Sequence, residues 1–200
     1  LSPAFPTGAF AYSHGLERVI AAGDVTDAHS MELWLSNILT YGAGWQDALL
    51  LNAALAPDAD HAALDTLARA LQPSTERLRE SAEQGAALAR TVAALTGRSL
   101  APRLLPIALG EAAAPLALPP AQVAQLYLHS FASNLATIAT RAIPLGQTEG
   151  QRLLTRLLPL IADLGTKAAH STLDDLGSAS LTADLAAMQH ETMDVRIFRT

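Results

Sequence analysis

Residues 121–143 decide the fold class: Ala121-Gln-Val-Ala-Gln-Leu-Tyr-Leu-His-Ser-Phe-Ala-Ser-Asn-Leu-Ala-Thr-Ile-Ala-Thr-Arg-Ala-Ile143. Val123, Leu126, Tyr127, Phe131, Leu135 and Ile138 recur every three or four positions, which is the period of an α-helix. Their stripe is wide, and Pro144 closes the run because proline cannot continue a helix. A helix this long and this broadly apolar is expected at the centre of a bundle, packed on more than one side.

Composition extends that reading to the whole chain. Alanine (41) and leucine (35) outnumber valine and isoleucine, which total 12. Ala and Leu are the strongest apolar helix formers, whereas β-branched residues favour strands. The expected architecture is all-α: residues 1–200 as a single domain of about nine or ten helices behind an extended N-terminal lead-in. Charged residues make up only 16%, below the usual quarter, so some apolar surface is expected to meet a partner.

Charge and residue usage exclude several function classes. The net charge is −6, and the 13 Lys and Arg form no run; a nucleic-acid binder carries a basic stripe. Without cysteine there are no disulfides, thiolate metal sites or cysteine nucleophiles. No stretch of about 20 residues is apolar enough to span a membrane, and no signal peptide is visible, so the expected location is the cytoplasm.

Punctuation residues divide the rest. Ser13 to Ala22 reads as a helix stopped by Gly23, and Thr26 or Asp27 caps the next, with Met31, Trp34, Leu35 and Ile38 on its buried stripe. Trp45 to Ala56 and His61 to Gln72 follow. Ser74 to Thr96 is the longest amphipathic candidate, and Arg77, Arg79, Glu80 and Glu83 read as its solvated face. Arg103 to Ala114 is a broken helix in a proline-rich segment. Thr148 to His170 is expected to kink at Pro159. Ser180 to Gln189 opens the last helix, with Leu181, Leu185, Met188 and Val195 continuing a core stripe.

No catalytic constellation emerges. Gly165-Thr166-Lys167 has phosphate-loop letters in the wrong order. The six histidines are never three or four residues apart, so no local metal pair is formed. His190-Glu191 opens like a zinc-protease helix, but Asp194 stands where the second histidine belongs. A helical metal-dependent hydrolase built on His190 and Glu191 is therefore the alternative reading, alongside an adaptor of unrelated pathway.

Three stretches exceed what a core needs. The opening, Leu1-Ser-Pro-Ala-Phe-Pro-Thr-Gly-Ala-Phe-Ala-Tyr-Ser-His-Gly-Leu-Glu17, is stiffened by Pro3 and Pro6 and holds three of the nine aromatic residues. On physics alone it is an N-terminal strap across a helical core. The second pairs Phe131-Ala-Ser-Asn-Leu135 with Pro144-Leu-Gly-Gln-Thr-Glu-Gly-Gln151, where Thr148 suits a helix cap. The third is His190-Glu-Thr-Met-Asp-Val-Arg-Ile-Phe-Arg-Thr200; Phe198 between arginines suits an interface better than a fraying end.

These motifs, in this order and over essentially the whole chain, resemble the urease accessory protein UreF family. One departure is Asp194, where such tails carry an aromatic. The resemblance implies an all-α, non-enzymatic homodimer without a cofactor of its own. Such a protein bridges a UreD-type (also called UreH) accessory protein and the UreG GTPase in a complex that loads nickel into apo-urease. It implies that Tyr12, His14 and Glu17 face the GTPase. It implies that Arg141, Gln147 and Glu149 serve the same surface or the dimer interface. It implies that His190, Glu191, Arg196, Phe198 and Arg199 face the UreD-type partner.

Overall fold

A computed structural model describes residues 5–200, so Pro3 and the start of the opening stretch lie outside the described residues. The chain is all-α. Its helices are α1 (Leu16–Ala22), α2 (Ala28–Tyr41), α3 (Ala43–Ala54), α4 (His61–Ala70), α5 (Thr75–Thr96), α6 (Leu105–Ala113), α7 (Pro120–Ala142), α8 (Gln147–Ala168) and α9 (Leu181–His190). Single 3-10 turns lie at Ala9–Ala11, Ala114–Leu116 and Leu173–Asp175, and no strand occurs among the described residues.

Local chemistry sets the boundaries. The Asp27 carboxylate accepts the Ser30 N–H at 2.8 Å, capping α2. Ser74 and Asp60 cap α5 and α4 in the same way. At the other ends, Gly23 closes α1 and Gly97 closes α5 in the left-handed conformation, which glycine adopts without a Cβ penalty.

The central position expected for the 121–143 helix is the one α7 takes. Tyr127, Leu128, Phe131, Leu135, Ile138 and Ala139 are buried, and α7 packs on α8, α3, α2 and α1. One residue of the expected stripe departs from it: Leu126 is 49% exposed. Helix α3 is the second internal element. Ala48, Leu49, Leu50 and Leu51 are buried in a row, and no residue of the helix is more than partly exposed. Each fully buried leucine here contributes about 1.5–3 kcal/mol. A smaller cluster of Leu50, Ala54, Leu64, Leu104 and Ile107 seats α4 on the far side.

Helix α8 runs unbroken through Pro159. The proline lies on its exposed side, as does Thr155, whose carbonyl loses its helical donor at a position open to solvent.

Two further corrections concern the end of the chain. Helix α9 stops at His190, and residues 191–200 turn back over α5 and α1 rather than continuing as a helix. Leu181, Leu185 and Met188, expected in the core, are 69%, 54% and 46% exposed, and Val195 is exposed too. The face of α9 that packs is made of Ala183, Ala186 and Ala187 instead. Small side chains let α1 and α9 approach closely, and Gly15 completes the contact: a Cβ there would lie 2.7 Å from the Ala187 nitrogen. None of the described helices is long and apolar enough to cross a membrane.

Candidate partner-binding site

The charged start of α5 is only in part the solvated face expected. Glu76, Arg77, Glu80, Ser81 and Gln84 are buried, and only Arg79 and Glu83 of the charged residues here face water. Glu76, Glu80 and Glu83 fall on one side of the helix. Against that acidic ladder the fold sets both the opening stretch and the tail, so residues from the two ends of the sequence share one cluster.

At its centre, Glu80 receives Arg77 of its own helix, the His14 ring at 2.8 Å and the Thr200 hydroxyl at 3.0 Å. Gln84 donates to the same carboxylate at 2.9 Å. Burial opposes the charge on Glu80, but Arg77 and His14 outweigh it and hold the carboxyl down at about 2. Burial, aided by Arg77, lowers the proton affinity of His14. His14 sits in the left-handed region at φ 54°, and Gly15 follows at φ 75°; together they turn the chain into α1. The main chain is tied as well, since Ser13 N–H donates to the Thr200 carbonyl at 2.7 Å and Arg199 N–H to the Ala11 carbonyl at 2.8 Å. The cleft beside His14 is also lined by Asp47, Tyr127 and Asn134. Asn134 donates to the Ala9 carbonyl at 3.0 Å, which accounts for a polar residue interrupting the apolar face of α7.

The inner end of the ladder holds the start of the tail. The fully buried His190 ring places Nδ1 2.7 Å from Glu76 and Nε2 3.1 Å from Glu17. Glu17 also accepts the N–H groups of Ile197 at 2.7 Å and Phe198 at 2.9 Å. Arg196 donates to Glu76 at 2.6 Å. Glu191 accepts the Glu76 N–H at 3.0 Å, satisfying a free donor in the first turn of α5. Both ring nitrogens of His190 are engaged and Glu191 points elsewhere, so the pair does not form the hydrolase site considered from sequence. No group of three metal ligands occurs among the described residues.

The outer end reaches the surface. Arg199 donates to Glu83 at 2.8 Å and to the Tyr12 hydroxyl at 3.2 Å, with its guanidinium 5.9 Å from the Tyr12 ring centre. The Tyr12 hydroxyl itself donates to Glu83. Burial and then this carboxylate push Tyr12 up to about 12. Phe198 is only 9% exposed and belongs to the core.

The structure therefore brings Tyr12, His14, Glu17, His190, Glu191, Arg196, Phe198 and Arg199 together, where the sequence suggested two separate faces. Arg141, Gln147 and Glu149 are not among them. Arg141 is exposed at the end of α7, Gln147 reaches Thr140 at 3.3 Å, and Glu149 pairs with Arg152 and Arg156. Arg156 then joins Glu32 of α2 at 2.7 Å, making a distinct surface network. Sequence reasoning missed Glu76, Arg77, Glu80, Glu83, Ser13 and Thr200. The one available signal was the helical spacing of the three glutamates.

Comparison with known proteins adds to this geometry. The UreF family model matches residues 25–158. A urease accessory protein UreF of Cereibacter sphaeroides is 61% identical over all of this chain and 95% of its own length. The corresponding protein of Paracoccus denitrificans is 50% identical over the whole chain and 93% of its length. That of Roseobacter denitrificans is 44% identical over the whole chain and 90% of its length. These alignments include the opening stretch and the tail, which the family model leaves outside its match.

Proposed function

The chain belongs to the UreF family of urease accessory proteins, and from that premise we propose that it works as a non-enzymatic scaffold in urease maturation. As one domain, and as a homodimer in the cytoplasm, it bridges a UreD-type protein and the UreG GTPase while nickel is delivered to apo-urease. The nucleotide and the resident nickel sites belong to its partners.

The observation that carries this reading is the convergence of both chain ends on α5. That convergence builds a rigid platform whose rim is exposed. Arg199 and Glu83 stand at one edge, and Val195 and Ile197 project from the tail. Leu181, Leu185 and Met188 line the open side of α9. Arginine is a common anchor at protein interfaces, and exposed apolar side chains grouped together mark an interaction surface. We assign the exposed Glu83–Arg199 rim, backed by the buried Tyr12, to the GTPase. The tail and α9 face the UreD-type protein, and the Arg141–Gln147–Glu149 corner serves the dimer. Because His14, Glu17, His190 and Phe198 are internal, their part is to hold the platform in shape rather than to touch a partner.

Co-purification of the full chain with each partner tests this. Arg199→Ala combined with Glu83→Ala should keep the fold and lose the GTPase. Leu185→Asp combined with Met188→Asp should keep the fold and lose the UreD-type protein. If both variants assemble normally, the assignment is wrong.

A further inference from the structure

Three buried side chains around one cavity keep polar atoms without partners. The Asp47 carboxylate takes the Tyr127 hydroxyl on Oδ2, and its Oδ1 accepts from no described residue. Arg77 engages Glu80 and His14 through Nη1, while its Nε and Nη2 donate to no described residue. His14 Nδ1 is sealed in without a partner among the described residues. Asp47 and Arg77 are each only 5% exposed, and buried polar groups left unpaired are rare.

All three residues line the cavity between α5, α7 and the opening stretch. It measures about 70 Å³, several times the roughly 10–15 Å³ that admits one water. A neighbouring cavity, which His14 and Arg77 also line, measures about 20 Å³ and has room for a single water. The larger one takes a molecule of about five heavy atoms.

Open groups of opposite charge narrow the class of ligand. The Nε–Nη2 edge of a guanidinium is a two-pronged donor that matches a carboxylate. Asp47 Oδ1 needs a donor instead. Burial pushes Asp47 up to about 6, so near neutral pH it is ionised, with one neutral hydroxyl as its hydrogen-bond partner. Glu80 is already engaged by Arg77, His14, Gln84 and Thr200. A free cation meets repulsion from Arg77, and a free anion meets it from Asp47 and Glu80. A metal ion finds no set of three ligands among the described residues. A molecule carrying both charges satisfies both open groups.

We propose that this cavity binds a small zwitterion of the α-amino acid class, of glycine size, with its carboxylate on the Nε–Nη2 edge of Arg77 and its ammonium on Asp47 Oδ1. Ser130 and Asn134 of α7 offer further hydroxyl and amide groups, and Leu88 and Phe131 are apolar walls that limit the size of the guest. The contacts are hydrogen bonds and ion pairs, with no covalent step. The site lies apart from both partner surfaces, so it stands or falls independently of the scaffold reading.

The test is an NMR titration of the isotope-labelled full chain with glycine, near neutral pH, at constant ionic strength and without partners. Signals of Ser81, Gln84, Ser130 and Asn134, which line the cavity, should move along one saturating curve. Small ligands gain little binding energy per atom, so half-saturation is expected at about 1–10 mM. Acetate and methylammonium each carry half of the ligand. Each should bind at least about tenfold more weakly, because each forgoes one charge-assisted contact. Asp47→Asn removes the charge that holds the ammonium, and Ser130→Leu fills the cavity. Both variants should weaken glycine at least about tenfold with helix content by circular dichroism unchanged. If Asp47→Asn does not fold, Ser130→Leu decides. Shifts that only grow linearly with glycine, saturation by acetate or methylammonium at the same concentration, or an unchanged glycine affinity in a folded variant would each overturn the site.

Discussion

The Tyr127 hydroxyl donates to the Asp47 carboxylate across 2.5 Å, joining α7 to α3 where both are buried. Burial pushes Asp47 up to about 6, despite the opposing effects of Arg77 and of this hydrogen bond. A carboxyl raised above its unfolded value binds more protons folded than unfolded, so stability falls as pH rises from about 4 to about 6. A proton affinity about a hundredfold higher in the folded chain corresponds to roughly 3 kcal/mol. Asp47→Asn keeps an acceptor for Tyr127 and removes the titration. Urea unfolding of the variant should show this part of the pH dependence gone and a midpoint at pH 7 equal to or above the parent's.

Glu80 behaves in the opposite sense. Held down at about 2 by Arg77 and His14 in spite of its burial, it contributes stability that is fully present above the unfolded carboxyl range. That contribution is lost as pH falls from about 4.5 through about 2. Glu80→Ala leaves Arg77 buried without its partner and removes an anchor of Thr200. Breaking one side of a buried ion pair costs about 3–5 kcal/mol, and urea unfolding at neutral pH should register a loss of that size.

How much of this was legible beforehand depends on the distance between partners in sequence. Asp27, Ser74, Gly23 and Gly97 act within a few residues of themselves, so the helix ends they set could be read directly. The central α7 was legible because its apolar stripe is wide and continuous. The site was not legible in the same way. Its contacts join Glu76 to His190, 114 positions apart, and Glu17 to Ile197, 180 apart. Of the four charged residues read as solvated, Arg79 and Glu83 are, whereas Arg77 and Glu80 look the same in sequence until His14 and Thr200, which cover them, are known. The motifs at the two ends marked which residues mattered, but not that they meet.

Gly15 is a position where a single methyl group should be felt. Its φ of 75° disfavours any side chain, and a Cβ would press on the Ala187 main chain. The atom it meets is backbone and cannot rotate away. Gly15→Ala should therefore cost more than the strain of an L residue in the left-handed region alone, which is about 1–2 kcal/mol. The excess reflects separation of α1 from α9. Thermal unfolding measures the cost, and amide exchange in α9 should rise more than in α7.

The sequence and the structure rank Phe198 and Leu185 in opposite orders, which makes the pair a sharp test. Read from the sequence, Leu185 lies on a core stripe and Phe198 is an exposed anchor. In the fold Phe198 is buried within the main core and Leu185 is more than half exposed. The reason is that α9 packs through alanine, leaving its leucines outside, while the tail returns to insert its one aromatic. Truncating a buried phenylalanine costs about 3–5 kcal/mol, although a site at the end of a chain relaxes enough to favour the low end. An exposed leucine changes stability by no more than about 0.5 kcal/mol. Phe198→Ala should accordingly lower the urea midpoint substantially, and Leu185→Ser should leave it where it was. Equal losses from the two substitutions would mean that the tail does not sit where the structure places it.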